Sequence, residues 1–318
     1  MPSGYGAPAT RSGRTGSPRR EGARKHPGGQ GPGAPRRCGP RIAERGGRVP
    51  YARVNGTMLY YREAGEGHLA LFIHGFPLDH SMWLDQLAGL AHVRRCVAVD
   101  LRGFGRSDPV VEPALSMEML ADDVAELIEA LGSNQADVVG LSMGGYVALA
   151  LWELRPALVR TLTLADTRAA ADGPEARQKR QATIDLVLDQ GRGVLAAEAI
   201  RSLLAPGPSA PVQARVRSMV EGTRYETIVA ALQGMRDRVD RTHLLPTISV
   251  PTLVVGGEQD AGSPPAQMRA LAQAIPGART VIVPGAGHLC PLERPAEVNE
   301  ALIELFEGRK VVWWKPEP

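Results

Sequence analysis

From residue 69 onward the chain alternates short, nearly uninterrupted apolar runs with segments of helical period. The runs fall at 69–73, 96–99, 137–141, 161–164, 252–255 and 280–283, with helical patterns near 79–90, 117–131, 143–154, 264–274 and 295–306. A strand that is apolar at every position has both faces buried. A mostly parallel sheet with helices on both faces provides that environment, so an α/β fold is expected. Ahead of the first run, residues 51–56 and 57–62 read as two short strands joined through Asn55-Gly56, a strong hairpin signal. The alternation fails once. Over 167–243 the period stays helical, as at Ile184, Val187 and Leu188, and no strand pattern intervenes. A helical cap inserted into a core made of 49–166 and 244–310 follows, and no internal repeat is visible.

Composition separates the first 48 residues from the rest. They hold 12 Gly and seven Pro with one aromatic residue, Tyr5, and carry 11 Lys/Arg against Glu21 and Glu44. Such a segment cannot bury enough apolar surface to offset the entropy of ordering it. It is expected to be a disordered basic tail, solvated or translated ahead of a start near Val49. Its charge of +9 leaves −6 on the other 270 residues. A mildly acidic body lacks the clustered basic face that phosphate neutralisation needs, so nucleic acid is not an expected partner of the core. No run of 18 apolar residues is present, which excludes a helical membrane span. Cys38, Cys96 and Cys290 are odd in number and widely spaced, fitting neither a disulfide framework nor a zinc site. Free thiols point to a reducing compartment. Arg19-Arg20 has no apolar stretch behind it, so no secretory signal is expected and the cytoplasm is the expected location.

The chemistry concentrates at Gly140-Leu-Ser142-Met-Gly144, a G-x-S-x-G pattern with an apolar strand before it and a helix after it. In that context the pattern is a nucleophile elbow: the turn is so tight that a Cβ two positions either side of the serine would clash. Gly145 is a further small residue on the helix side. A dinucleotide-binding loop would need glycine where Ser142 stands. A serine hydroxyl becomes nucleophilic when an imidazole takes its proton. His243 and His288 lie downstream; His288, in the loop leaving the last apolar run, is favoured over His243. The imidazolium needs a carboxylate. Asp260, following the penultimate run, is favoured, with Glu258 and Asp166 as competitors. Two backbone N–H donors must also face the oxyanion, and the amides of Met143 and Phe76 are the candidates. His74 reads as a loop brace. The acidic residues and Arg102 of 100–108 read as locks on a turn. No third glycine, Gly-Lys pair or H-E-x-x-H appears, so neither a cofactor nor a metal is expected.

The ordered set HGFP (74–77), DLRGFGRSD (100–108), GLSMGG (140–145), GGEQD (256–260) and GAGH (285–288) resembles the α/β-hydrolase superfamily over about 51–307. The resemblance implies an eight-stranded, mostly parallel sheet with a helical cap after the sixth strand. It also implies a triad of Ser142, Asp260 and His288, with oxyanion amides from Phe76 and Met143. GLSMGG followed by LADTRA (164–169) is similar to small bacterial esterases and to the 3-oxoadipate enol-lactonase group. Serine at the elbow argues against haloalkane dehalogenases, and Phe76 stands where cofactor-free haloperoxidases usually carry Trp. The expected activity is hydrolysis of small-molecule carboxylic esters or lactones. The alternatives are carbon–carbon hydrolysis of ring-cleavage products and a ligand-sensing relative of the hydrolases. Trp83 and Leu289, with Phe76 and Met143, are candidate substrate walls.

Overall fold

The computed structural model describes residues 50–308, so the basic segment over 1–48, with Cys38, lies outside the described residues. The strands are β1 (Tyr51–Val54), β2 (Thr57–Ala64), β3 (Leu69–Ile73), β4 (Arg95–Val99), β5 (Ala136–Leu141), β6 (Val159–Ala165), β7 (Thr252–Gly257) and β8 (Arg279–Val283). They form one eight-stranded sheet in the order β1-β2-β4-β3-β5-β6-β7-β8. The β1/β2 and β2/β4 pairs are antiparallel, and every pair from β4 to β8 is parallel. The opening hairpin turns on Asn55 at φ 43° and Gly56 at φ 78°. Two successive positive φ values match the right-handed twist of the flanking strands, and Asn and Gly reach them at least cost.

Among the described residues the α-helices are α1 (Leu84–Leu90), α2 (Met117–Ala130), α3 (Met143–Leu154), α4 (Pro174–Gln190), α5 (Arg192–Leu203), α6 (Ala210–Gly222), α7 (Tyr225–Asp237), α8 (Pro265–Gln273), α9 (Cys290–Glu293) and α10 (Pro295–Phe306). Every residue of β3, β5 and β7 is buried. Side chains alternate between the faces of a strand, so helices cover the sheet on both sides. The helix boundaries have local causes. The Ser116 hydroxyl accepts the Met119 N–H at 3.1 Å to start α2, and Gly132 at φ 75° follows its end. Pro265 opens α8, where a missing N–H costs nothing. The helical pattern near 79–90 divides into a 3₁₀ turn, His80–Trp83, and α1. Asp79 caps the turn by accepting the Ser81 N–H at 2.8 Å.

Helices α4 to α7 follow β6 and precede β7. Polar contacts fix them to the loops at one sheet edge. Thr223 Oγ1 donates to the Pro77 carbonyl at 3.0 Å and Thr227 Oγ1 to the Gly103 carbonyl at 2.9 Å. Just beyond α7, the buried Arg241 reaches Glu153 of α3 at 3.0 Å and also pairs with Glu118 of α2. The Leu289 N–H donates to the Leu203 carbonyl at 3.2 Å, joining α5 to the last loop. Among the described residues no helix is long and apolar enough to cross a membrane.

Candidate active site

Parallel pairing gathers the candidate residues. Ile73 pairs with Gly140, Leu141 with Ala165, and Gly257 with Val283. These strand ends therefore lie along one edge, with β6 and β7 adjacent between them. The segments that leave there carry Phe76, Ser142, Asp166, Asp260 and His288. The C-terminal edge of a parallel sheet is where such loops collect.

Ser142 stands between β5 and α3 at φ 53° and ψ −112°. A non-glycine residue in that region is strained, and such strain persists only where the surroundings impose it. Neighbouring glycines explain the constraint. A Cβ on Gly140 would collide with the Gly144 carbonyl, and one on Gly144 with the carbonyl of Ile73. A Cβ on Gly145 would stand 2.5 Å from Thr167 Oγ1. The main chain is held as well: Ser142 N–H donates to the Ala165 carbonyl at 2.9 Å, and the Ser142 carbonyl accepts Thr167 Oγ1 at 2.8 Å. Met143 is the first residue of α3. Neither its N–H nor that of Phe76 donates to a protein acceptor among the described residues. Helix starts leave such donors free and carry partial positive charge.

His288 is buried, and its Nδ1 lies 2.7 Å from Asp260 Oδ2. The other Asp260 oxygen accepts the Gly262 N–H at 2.7 Å. Burial works to lower the His288 pKa, but the Asp260 hydrogen bond and charge, helped by the charge of Asp166, carry it above the ordinary histidine value. Burial likewise opposes ionisation of Asp260, yet its bonds with His288 and the backbone of Ser263 and Gly262 hold it below the ordinary carboxylate value. Both shifts favour an ion pair.

Of the competing acids, Glu258 is exposed and accepts the Gly285 N–H at 2.9 Å, bracing the loop before His288. Asp166 is closer to the site than its sequence position suggests. One oxygen of Asp166, one of Asp260 and a nitrogen of His288 all lie within 4.8 Å of one another. Asp166 accepts the Gly257 N–H at 2.9 Å and the Cys290 thiol at 3.1 Å. Burial, reinforced by the Asp260 charge, pushes its carboxyl well above the ordinary range despite the opposing charge of His288. Glu293 is a further support that sequence reasoning missed. It accepts the Gly287 N–H at 2.9 Å and the Ala205 N–H at 2.8 Å, tying the His288 loop to the end of α5. An acid five residues past a candidate histidine is its only trace in the sequence.

The remaining candidates separate clearly. His243 is exposed on the 3₁₀ turn Thr242–Thr247. His74 is fully buried and accepts the Leu101 N–H on Nε2 at 3.1 Å, a brace between loops. Asp100 accepts His80 Nδ1 at 2.8 Å and the Arg106 N–H at 2.9 Å, while Arg102 clasps Asp123 at 2.7 Å. Trp83 is fully buried and tilted against Phe72 with ring centroids 5.3 Å apart, so the contacts seen are core packing. Leu289 is buried beside His288. Cys96 and Cys290 are free and buried. Burial pushes the Cys96 thiol up to about 12 and, with the Asp166 charge, the Cys290 thiol well up, so neither competes as a nucleophile. Asp79, His80 and Asp100 also bring ligand-type atoms within 4.8 Å of one another. Asp79 and Asp100 already accept backbone N–H groups in that cluster.

A model of the alpha/beta hydrolase family matches residues 70–301. The chain belongs to that family. Among solved alpha/beta hydrolases, a thermophilic esterase from Thermogutta terrifontis, with malate bound, is 38% identical at a TM-score of 0.77, covering 82% of this chain and 97% of its own. The enol-lactonase from Burkholderia xenovorans LB400 is 31% identical at a TM-score of 0.72, covering 81% of this chain and 100% of its own. A Mycobacterium tuberculosis protein named as a non-heme bromoperoxidase is 30% identical over 262 residues, which is 79% of this chain and 98% of that one. The family thus agrees with the resemblance carried by the motifs, and its esterase and enol-lactonase members bracket this alpha/beta hydrolase.

Proposed function

We propose that the chain is a cofactor-independent serine hydrolase that cleaves carboxylic esters or lactones of small molecules. The observation that carries this reading is a backbone-strained serine on the sheet edge that also bears a buried His288–Asp260 pair, bonded at 2.7 Å. Ser142 Oγ attacks the carbonyl carbon while His288 Nε2 takes the hydroxyl proton, and Asp260 holds the resulting imidazolium in place. The oxyanion is met by the N–H groups of Phe76 and Met143. On collapse the carbon–oxygen bond breaks, and His288 gives its proton to the leaving alcohol. Water, deprotonated in turn by His288, then attacks the acyl-enzyme; the carboxylic acid departs and Ser142 recovers its proton. We also place the chain in the cytoplasm, a setting that suits the free cysteines Cys96 and Cys290.

Short p-nitrophenyl esters are expected to turn over with an initial burst of phenolate. A fluorophosphonate probe is expected to label Ser142, as read by peptide mass. Labelling of a different serine, or no turnover across esters, lactones and ring-cleavage dienoates, overturns the reading. The raised pKa of His288 fixes the direction of the pH dependence. Neutral imidazole is the working base, so kcat/KM falls as pH drops through its pKa. The acid limb is therefore expected above the ordinary histidine value of about 6.5. A limb below that value contradicts the assignment of His288 as the base.

A further inference from the structure

We propose that Arg168 is the docking point for a carboxylate carried by the substrate, so that the preferred esters or lactones bear a free acid group close to the scissile bond. The proposal rests on the serine-hydrolase reading and adds a substrate class to it. Arg168 lies between β6 and α4, two residues beyond Asp166. Its neighbour Thr167 donates to the Ser142 carbonyl at 2.8 Å. Its own Nη2 reaches only the Gly262 carbonyl, at 3.5 Å, in the loop that presents Asp260. The half-buried guanidinium therefore reaches from the end of β6 to the Asp260 loop.

Its hydrogen bonding is incomplete there. Arg168 Nε is buried and has no partner, and among the described residues no carboxylate pairs with this side chain. Four other arginines are buried, and although Nε of Arg238 also lacks a partner, each of the four pairs with a carboxylate. Arg94 meets Asp137 at 2.9 Å, Arg102 meets Asp123 at 2.7 Å, Arg238 meets Asp172 at 2.7 Å and Arg241 meets Glu153 at 3.0 Å. A guanidinium that loses solvent at Nε without gaining an acceptor is destabilising, and the fault is repaired when an anion binds. The Arg168 charge is also felt at His288, where it opposes protonation. The planar fork of a guanidinium matches a carboxylate in two parallel hydrogen bonds. A phosphate dianion would bring twice the charge toward the ionised Asp260, which makes the carboxylate the better fit.

The test compares two esters on the full chain: mono-p-nitrophenyl glutarate, with its acid free, and methyl p-nitrophenyl glutarate, with the acid masked. The wild type is expected to favour the free acid by about tenfold or more in kcat/KM, chiefly through KM, where tenfold corresponds to ~1.4 kcal/mol. Arg168→Gln is expected to lower that ratio by about tenfold, and Arg168→Lys, which keeps the charge without the fork, by less. Glutarate is expected to inhibit hydrolysis of the masked ester, and more weakly in Arg168→Gln. Equal turnover of the two esters by the wild type overturns the proposal, as does a proportional loss on both in Arg168→Gln. If Arg168→Gln does not fold, the wild-type ratio, the Arg168→Lys ratio and glutarate inhibition still decide. Turnover of the masked ester, and its loss in Ser142→Ala, tests the serine-hydrolase reading separately.

Discussion

Ser142→Ala is expected to lower ester turnover by about four to six orders of magnitude, because only the oxyanion donors and substrate binding remain to accelerate the reaction. The melting temperature should hold, since alanine and serine meet the same steric penalty at φ 53°. Ser142→Gly separates strain from chemistry. It should be equally inactive yet more stable, by about 1 kcal/mol or more, because glycine enters this backbone region freely. Stopped assays with a short acyl ester and thermal melts of the three proteins check both statements. An active Ser142→Ala protein would remove the nucleophile from the mechanism. A Ser142→Gly protein that melts below the wild type would mean that the elbow stores no strain.

The second large effect belongs to the acid. Asp260→Asn is expected to cost about 10⁴ in kcat, because an amide at this position leaves His288 in the wrong tautomer and removes the charge that balances the imidazolium. Glu258→Gln should cost little, since Glu258 only accepts a backbone N–H from Gly285. Asp166→Asn should fall between them. Its carboxyl lies within the cluster but bonds to Gly257 and Cys290, so it positions the β6 and β7 ends and adds to the field on His288. Parallel kinetics on the three variants give the order, and a larger loss in Asp166→Asn than in Asp260→Asn would move the acid to the end of β6.

The strand cores and the elbow were legible in the sequence because their causes are local. A run such as 69–73 is apolar at every position since each of its residues is buried, and Gly140 and Gly144 are forced by backbone atoms within a few residues or one strand away. Apolar runs stop short of the strand ends where polar residues join the ladder, as with Arg160 in β6, whose guanidinium pairs with Asp137. The helix boundaries within 167–243 were not legible, for α4 is polar enough that only Ile184 and Val187 of its 17 residues are buried. The nearness of Asp166 to His288 could not be read at all. It depends on β6 lying beside β7 and β7 beside β8, an adjacency that no local pattern encodes. Trp83 carried no signal to distinguish a wall from a core residue, because both are apolar. Arg168 sits in a stretch that the sequence marked only as similar to other proteins, and its missing partner is visible only when every nearby carboxylate has been placed.

The packing around the elbow also bears on how this alpha/beta hydrolase can be changed by laboratory evolution. Side-chain atoms cannot be added at Gly140, Gly144 or Gly145 without moving Gly144, Ile73 or Thr167, so libraries spent on those positions will return mostly unfolded protein. Variation is better directed at α4 to α7, which carry many exposed positions and meet the site loops around Leu203, Ala205 and Thr223. New substrate ranges should therefore arise there first, with the candidate nucleophile Ser142 left untouched.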